Sequence, residues 1–165
     1  MADLKRLNET LGRLQDILDK LRVDTGAGRT TVRLDHEALG FNVDAPAAES
    51  LAEGVHSIMS QTTLDQWNAA AVKWLIRNKR TFVMDDCLNP WDQSVAPERE
   101  VIETYGIRSE MVSLVLKGGK IAGWVSVHYT KGPRTWTDDE INTLESACNS
   151  VRSVLEDYDT AAAGN

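Results

Sequence analysis

The chain has 165 residues, enough for one domain with its own core and too few for two ordinary ones. Lys and Arg number 18 against 25 Asp and Glu, so the net charge is −7 and a footprint on a nucleic-acid phosphate backbone is not expected. With 42% hydrophobic and 26% charged residues the composition is that of a globular protein. No apolar run approaches the roughly 20 residues of a membrane span, and MADLKRLNET does not read as a secretory signal. Two cysteines, Cys87 and Cys148, cannot build a disulfide framework or a cysteine-rich zinc site, so a cytoplasmic setting is expected.

Residues 1–23 are expected to form a helix, because Leu4, Leu7, Leu11, Leu14, Leu18 and Leu21 advance by alternating threes and fours. Strands are predicted at 29–35 (RTTVRLD) and 41–43, around a turn containing Gly40. In the first of them Val32 and Leu34 alternate with Thr31 and Arg33, so the two pairs face opposite ways. His36, in the turn that follows, reads as a solvated loop residue, and His56 carries no signal. A helix is predicted over 64–78, capped by Thr63 with Gln66, with Trp67, Ala71 and Trp74 on one side. TFVMDD, residues 81–86, reads as a strand, and a short helix follows with Pro97 in its first turn and Gly106 after its end.

The segment RSEMVSLVLKGGKIAGWVSVHY holds two apolar runs joined by Gly118 and Gly119, which supply the positive φ of a two-residue hairpin turn. If Lys117 faces Lys120, in-step pairing sets Ser113 opposite Trp124, Met111 opposite Ser126 and Ser109 opposite His128, all on one face. The other face then holds Val112, Leu114, Leu116, Ile121, Val125 and Val127, which suits packing beneath helices. The mixed face is either solvated or lines a pocket, and its tryptophan and methionine favour the pocket. The last helix opens on a capping box, Thr137 with Glu140, and carries a second seam of Ile141, Leu144, Cys148, Val151, Leu155 and Tyr158. The two seams either pack on the chain's own sheet or join a bundle shared between subunits. Residues 159–165 are expected to be a disordered tail.

The order of these elements resembles the GAF domain, a small-molecule-binding relative of the PAS fold. The resemblance is carried by LDQWNAAAVKWLIRNKRTFVMDD, by YGIRSEMVSLVLKGGKIAGWVSVHY and by RTWTDDEINTLESACNSV, and runs from about Leu11 to Tyr158. These are fold motifs rather than catalytic ones; Leu114 stands where many members have proline. The resemblance implies an α+β fold: a GAF/PAS-like antiparallel sheet, with the N- and C-terminal helices packed on one face and a ligand pocket on the other. The domain would then span residues 24–158, with the N-terminal helix belonging both to it and to a dimer bundle.

On that layout the candidate ligand-binding residues are Ser109, Met111, Ser113, Trp124, Ser126 and His128 on the mixed face, with Arg33, Trp74, Cys87 and Trp91 around it. His128 could bond a ligand, and a guanidinium at Arg33 would favour an anionic one. Trp74, Trp91 and Trp124 would offer flat apolar walls to a planar or aromatic ligand, with the loop of Trp91 as a lid, whereas Trp67 and Trp136 read as core. Cys87 sits where family members reach their ligands, but Cys148 lies on the helix seam and the two thiols are not expected to meet. Free methionine sulfoxide reductase, the enzyme branch that the family resemblance brings in, needs several loop cysteines. Bilin-binding relatives carry a Cys-His pair that is absent here, and the cyclic-nucleotide signature is fragmentary in YTKGPRTWTDDE. A glycine-rich phosphate loop and metal-spaced histidines are missing, so neither cofactor nor metal is expected. The expected function is a non-catalytic, dimeric sensory or regulatory module that signals to a partner protein. A thiol-dependent reductase using Cys87 and a dimerisation module with an empty pocket are the alternatives.

Overall fold

The alternating apolar strands close into a five-stranded antiparallel sheet in the order β2-β1-β5-β4-β3. The structure, a computed structural model, describes residues 3–62 and 64–164. The strands are β1 (Arg29–Leu34), β2 (Ala48–Leu51), β3 (Phe82–Met84), β4 (Ser109–Lys117) and β5 (Lys120–Tyr129). The helices are α1 (Leu4–Thr25), α2 (Ala70–Asn78), α3 (Arg99–Tyr105) and α4 (Asp138–Ala163). Helices α1 and α4 pack on each other and on one face of the sheet, while α2, α3 and their flanking segments lie on the other. No helix among the described residues is long and apolar enough to cross a membrane.

Both leucine-type seams are used within the chain. Leu14, Leu18 and Leu21 of α1 join Leu144, Cys148, Val151 and Leu155 of α4 in one core with Val32, Met111, Val125 and Val127 of the sheet. The seam of α1 is not buried throughout: Leu7 and Leu11 are half-buried, and Leu4 is 70% exposed. The capping box of α4 forms as expected, the Thr137 hydroxyl accepting from the Glu140 amide and the Glu140 carboxylate accepting from the Thr137 amide, both at 3.1 Å. Arg134, just before it, ties the layer together. Its guanidinium lies 4.2 Å from the centre of the Trp136 ring and donates to the Thr25 carbonyl that ends α1 and to Glu140 of α4.

The hairpin turn sits where the two glycines place it, with Lys117 opposite Lys120 and Leu116 opposite Ile121, but the next pair is Val115 with Gly123. Ala122 is an extra residue, a β-bulge, and beyond it every partner on β4 shifts by one: Leu114 faces Trp124, Val112 faces Ser126 and Glu110 faces His128. From Gly123 onward the assignment of faces on β5 stands, whereas Ile121, before the bulge, pairs with Leu116 and is not in the helix-side core, and the assignment on β4 is inverted by the period of two. Ser109, Met111 and Ser113 therefore point into the α1/α4 layer rather than the mixed face. Met111 is in that core, the Ser109 hydroxyl accepts from the Trp136 indole at 2.8 Å, and the Ser113 carbonyl accepts from the Cys148 thiol at 3.5 Å. Val112 and Leu114, expected beneath the helices, lie on the opposite side.

Other differences are local. Residues 41–43 form no strand beyond a single bridge of Phe41 to His36; β1 pairs instead with Ala48–Leu51, a short edge strand whose alanine and glutamate carry little β preference. The helix predicted from 64 begins at Ala70, after a 3₁₀ turn at Gln66–Asn68 and an extended Ala69, and its expected cap Thr63 lies outside the described residues. Pro97 precedes α3 rather than occupying its first turn. Helix α4 continues to Ala163, past the point where a disordered tail was expected. His36 is not a solvated loop side chain: its Nδ1 accepts from the Leu39 amide and its Nε2 lies 2.8 Å from Asp159 of α4.

Gly123 identifies the bulge energetically, since a Cβ there would stand 1.9 Å from the Arg33 carbonyl oxygen. Gly123→Ala is expected to cost about 3 kcal/mol or more in urea denaturation, because two backbones must separate. Gly12→Ala, where a Cβ meets nothing within 4 Å, should be neutral or stabilising by up to about 1 kcal/mol. Equal effects at the two positions would contradict this register.

Candidate functional site

Register places three rows of side chains on the face opposite α1 and α4. Arg29, His128 and Glu110 form the first, Thr31, Ser126 and Val112 the second, and Arg33, Trp124 and Leu114 the third. All but Arg29 and Leu114 line a cavity of about 220 Å³, closed above by the 3₁₀ turn, α2 and α3 through Gln66, Ala70, Val72, Val101 and Tyr105.

The polar residues of this face are almost fully withdrawn from water. Arg29 is fully buried; it donates to the Tyr105 carbonyl at 2.8 Å and the His56 carbonyl at 2.7 Å, which rivets β1 to the end of α3 and to the loop before α2. Arg33, 3% exposed, donates to the Val43 carbonyl at 2.9 Å and the Tyr105 hydroxyl at 3.1 Å. That hydroxyl also accepts from Gln66 at 3.0 Å. Neither guanidinium has a carboxylate within ion-pair reach among the described residues, and burial lowers the pKa of both. Glu49 and Asp44 oppose that shift at Arg29 and Arg33 from beyond ion-pair distance, and an anion in direct contact would offset more of the cost of desolvation.

His128 stacks on the Tyr105 ring, with centroids 6.1 Å apart. Its Nδ1 lies 3.1 Å from the Arg29 guanidinium, which can only donate, so Nδ1 accepts and the proton of the neutral ring sits on Nε2. Burial first, then Arg29 and Arg33, hold its pKa well below the ordinary histidine value. Nε2 faces Glu110 at 3.8 Å, too far for a hydrogen bond. Glu110 is 6% exposed, no described donor reaches its carboxylate, and burial pushes its pKa up to about 7.

Of the residues expected from sequence, Arg33, Trp124, Ser126 and His128 come together on the cavity wall. Trp124 is backed edge-on by Trp67, whose ring centre is 5.1 Å away; Trp67 itself is 37% exposed rather than core. Trp74 packs on Phe82 and Trp91 outside the cavity. Trp91 is no lid: it is 55% exposed, and its indole N–H donates to the Val83 carbonyl over a separate hollow at β3. Cys87 is buried among Val95, Tyr105 and Phe82 without reaching the cavity. Burial, with Glu110 and Asp86 nearby, pushes its thiol pKa far up, away from the reactive thiolate. Cys148 lies in the other core, its thiol raised to about 12 by burial. Among the described residues no three His, Cys, Asp or Glu side chains gather as a metal site.

The sequence reading missed Glu110, Val112 and Tyr105. A signal for the first two was present, because a glycine inside a strand pattern, as at Gly123, marks a bulge. Nothing in the pattern of α3 distinguishes Tyr105 as a hub.

The model of the GAF domain matches residues 9–155, and the chain belongs to the GAF domain family. Among solved structures it is similar to the blue-light-absorbing form of the PixJ GAF domain of Thermosynechococcus elongatus, at 16% identity and TM-score 0.71 over 99% of this chain and 96% of that one. It is similar to the photoproduct state of GAF3 from Slr1393 of Synechocystis sp. PCC6803, at 17% identity and TM-score 0.73 over 94% and 99%. It also resembles the far-red absorbing dark state of JSC1_58120g3 with bound biliverdin IXa, at 19% identity and TM-score 0.67 over 93% and 99%. Likeness at these identities is likeness of fold. No curated protein matches the chain.

Glu110 makes stability depend on pH with a definite sign. The unfolded chain loses this proton near 4.5 and the folded one at about 7, so between these values the folded state binds more protons and stability falls as pH rises. His128, with its lowered pKa, acts oppositely, costing stability as pH falls through the ordinary histidine range. Glu110→Gln removes only the first effect. Relative to the unaltered protein the variant should therefore gain on the order of 1–3 kcal/mol between about pH 5 and about pH 8 in urea titrations. A difference that stays flat with pH would refute the buried, unpartnered carboxyl.

Proposed function

We propose that this GAF domain is a small-molecule-binding sensory or regulatory module, acting without catalysis and as a homodimer, that passes its state to a partner protein in a cytoplasmic setting. The observation that carries the reading is the cavity: a pocket of about 220 Å³ in which the Arg33 guanidinium is buried against neutral acceptors only. An anionic group on a ligand would offset the desolvation of that charge, and Trp124 offers a flat wall to a planar one. The volume lies below the ~300 Å³ at which drug-sized pockets begin. It favours a compact ligand over a chromophore of the size of biliverdin, which one structural neighbour holds.

Absence of catalysis draws support from Cys87, whose buried thiol has its pKa pushed far up and has the sheet between it and Cys148. The homodimer draws support from the part of the α1 seam that the chain leaves uncovered, Leu4 with half-buried Leu7 and Leu11. Leu14 and Val151 are fully buried within one chain, so a lysine at either would unfold the protein before it reported on association. Leu4→Glu with Leu11→Glu is the better probe. Sedimentation should show a dimer at tens of micromolar that the double variant dissociates, and a monomeric unaltered protein would defeat that part of the proposal.

Mass spectrometry of what the purified protein releases on denaturation should yield a bound small molecule. Adding it back should raise the melting temperature by mass action and alter tryptophan emission. Trp124→Ala should weaken its affinity about fivefold or more, equivalent to about 1 kcal/mol, while Val125→Ala should lower stability alone. A ligand found against Val125 and Val127 would overturn the site.

A further inference from the structure

Glu110 is a buried acid that the protein itself does not satisfy. It is 6% exposed, it lines the cavity, and no described donor hydrogen-bonds its carboxylate; His128 Nε2 stops at 3.8 Å. Such a group costs free energy whether charged or neutral until a donor reaches it. Arg33 poses the complementary problem on the same wall, a guanidinium 3% exposed whose donors end on a carbonyl and a phenol.

The sheet sets the two apart in a defined way. Arg33 lies on β1 in the row of Trp124 and Glu110 lies on β4 in the row of His128, with β5 between. That is two strand spacings, about 10 Å, across the sheet and four residues, about 13 Å, along it between Cα atoms. Both are long side chains that line the same 220 Å³ space, and the floor between their rows carries the hydroxyls of Thr31 and Ser126.

We infer that the ligand of this pocket, if the ligand-binding reading above holds, is a small amphoteric molecule whose cationic nitrogen meets Glu110 and whose anionic group meets Arg33. A free α-amino acid with a modest side chain has that polarity, and the Arg33 and Glu110 side chains must extend toward each other from their strands to meet its two ends. Its side chain would lie against Val101, Ile107 and Val112. Charge selects for both groups together: an anion without the nitrogen leaves Glu110 unpartnered, and a cation without the acid leaves Arg33 so. Neither half alone satisfies the pocket.

The test uses the full chain and thermal unfolding with glycine, alanine, serine, threonine, valine and leucine at millimolar concentration. Each is set beside the carboxylic acid that lacks its amine and the amine that lacks its carboxylate. At least one amino acid should raise the melting temperature by several degrees while its two halves do not, and Glu110→Gln, which is isosteric and relieved of a buried charge, should remain folded and lose that response. A shift given fully by a carboxylic acid alone, or retained in Glu110→Gln, overturns the inference while leaving the ligand-binding reading intact. No shift with any amino acid overturns it as well; if in addition the purified protein releases no small molecule on denaturation, the ligand-binding reading falls with it.

Discussion

At Gly123 the backbone of β5 approaches β1 so closely that the Arg33 carbonyl oxygen fills the space of a missing side chain. The contact forces Ala122 out of the ladder, and the extra residue shifts every later pairing between β4 and β5. Which residues of β4 face the cavity, and which face the helices, follows from this one approach of two main chains. Without it Ser109, Met111 and Ser113 would line the pocket, and Glu110 would lie among the aliphatic side chains beneath α1 and α4. With it the buried acid comes to rest across from His128 and within the same hollow as Arg33.

The site is assembled at the expense of the fold. Two guanidiniums, an imidazole and a carboxyl are withdrawn from water on one side of a small sheet, and only the first three find hydrogen-bond partners. The acceptors of both guanidiniums are neutral, so their charges are tolerated rather than cancelled. Tyr105 meets all of these residues but Glu110: its carbonyl accepts from Arg29, its hydroxyl from Arg33 and Gln66, and its ring lies on His128. One residue at the end of α3 thus fixes the polar wall against the roof. The aliphatic core on the opposite side of the sheet, where Leu14, Leu18, Val125, Val127, Val151 and Leu155 are fully buried, supplies the stability that such a wall draws upon.

Much of this was legible in the chain. The seams of α1 and α4, the capping box at Thr137, the two-glycine turn, and the alternation that turns Arg33, Trp124, Ser126 and His128 to one side are local patterns, and local patterns survive folding. What was not legible depended on pairing. A two-residue turn fixes register only as far as the ladder is regular, and the six residues assigned from it on β4 were all placed by an unbroken ladder. Strand β2 escaped because alanine and glutamate declare no strand; its neighbour β1 makes it one. Trp74 and Trp91 were assigned to the pocket by residue type, but they meet each other and Phe82 instead. Aromatic character alone does not say which surface a ring will cover.

Strand β4 separates the pocket from the helical layer by the thickness of a single chain. Glu110 and Val112 face the cavity, while Ser109, Met111 and Ser113, alternating with them, hold Trp136, the α1/α4 core and Cys148 on the far side. Because the helical side is close-packed, it cannot absorb a displacement of the strand without repacking. The strand is in effect a diaphragm: force applied to it from the pocket emerges at the helices, with no relay of intervening residues needed to carry it.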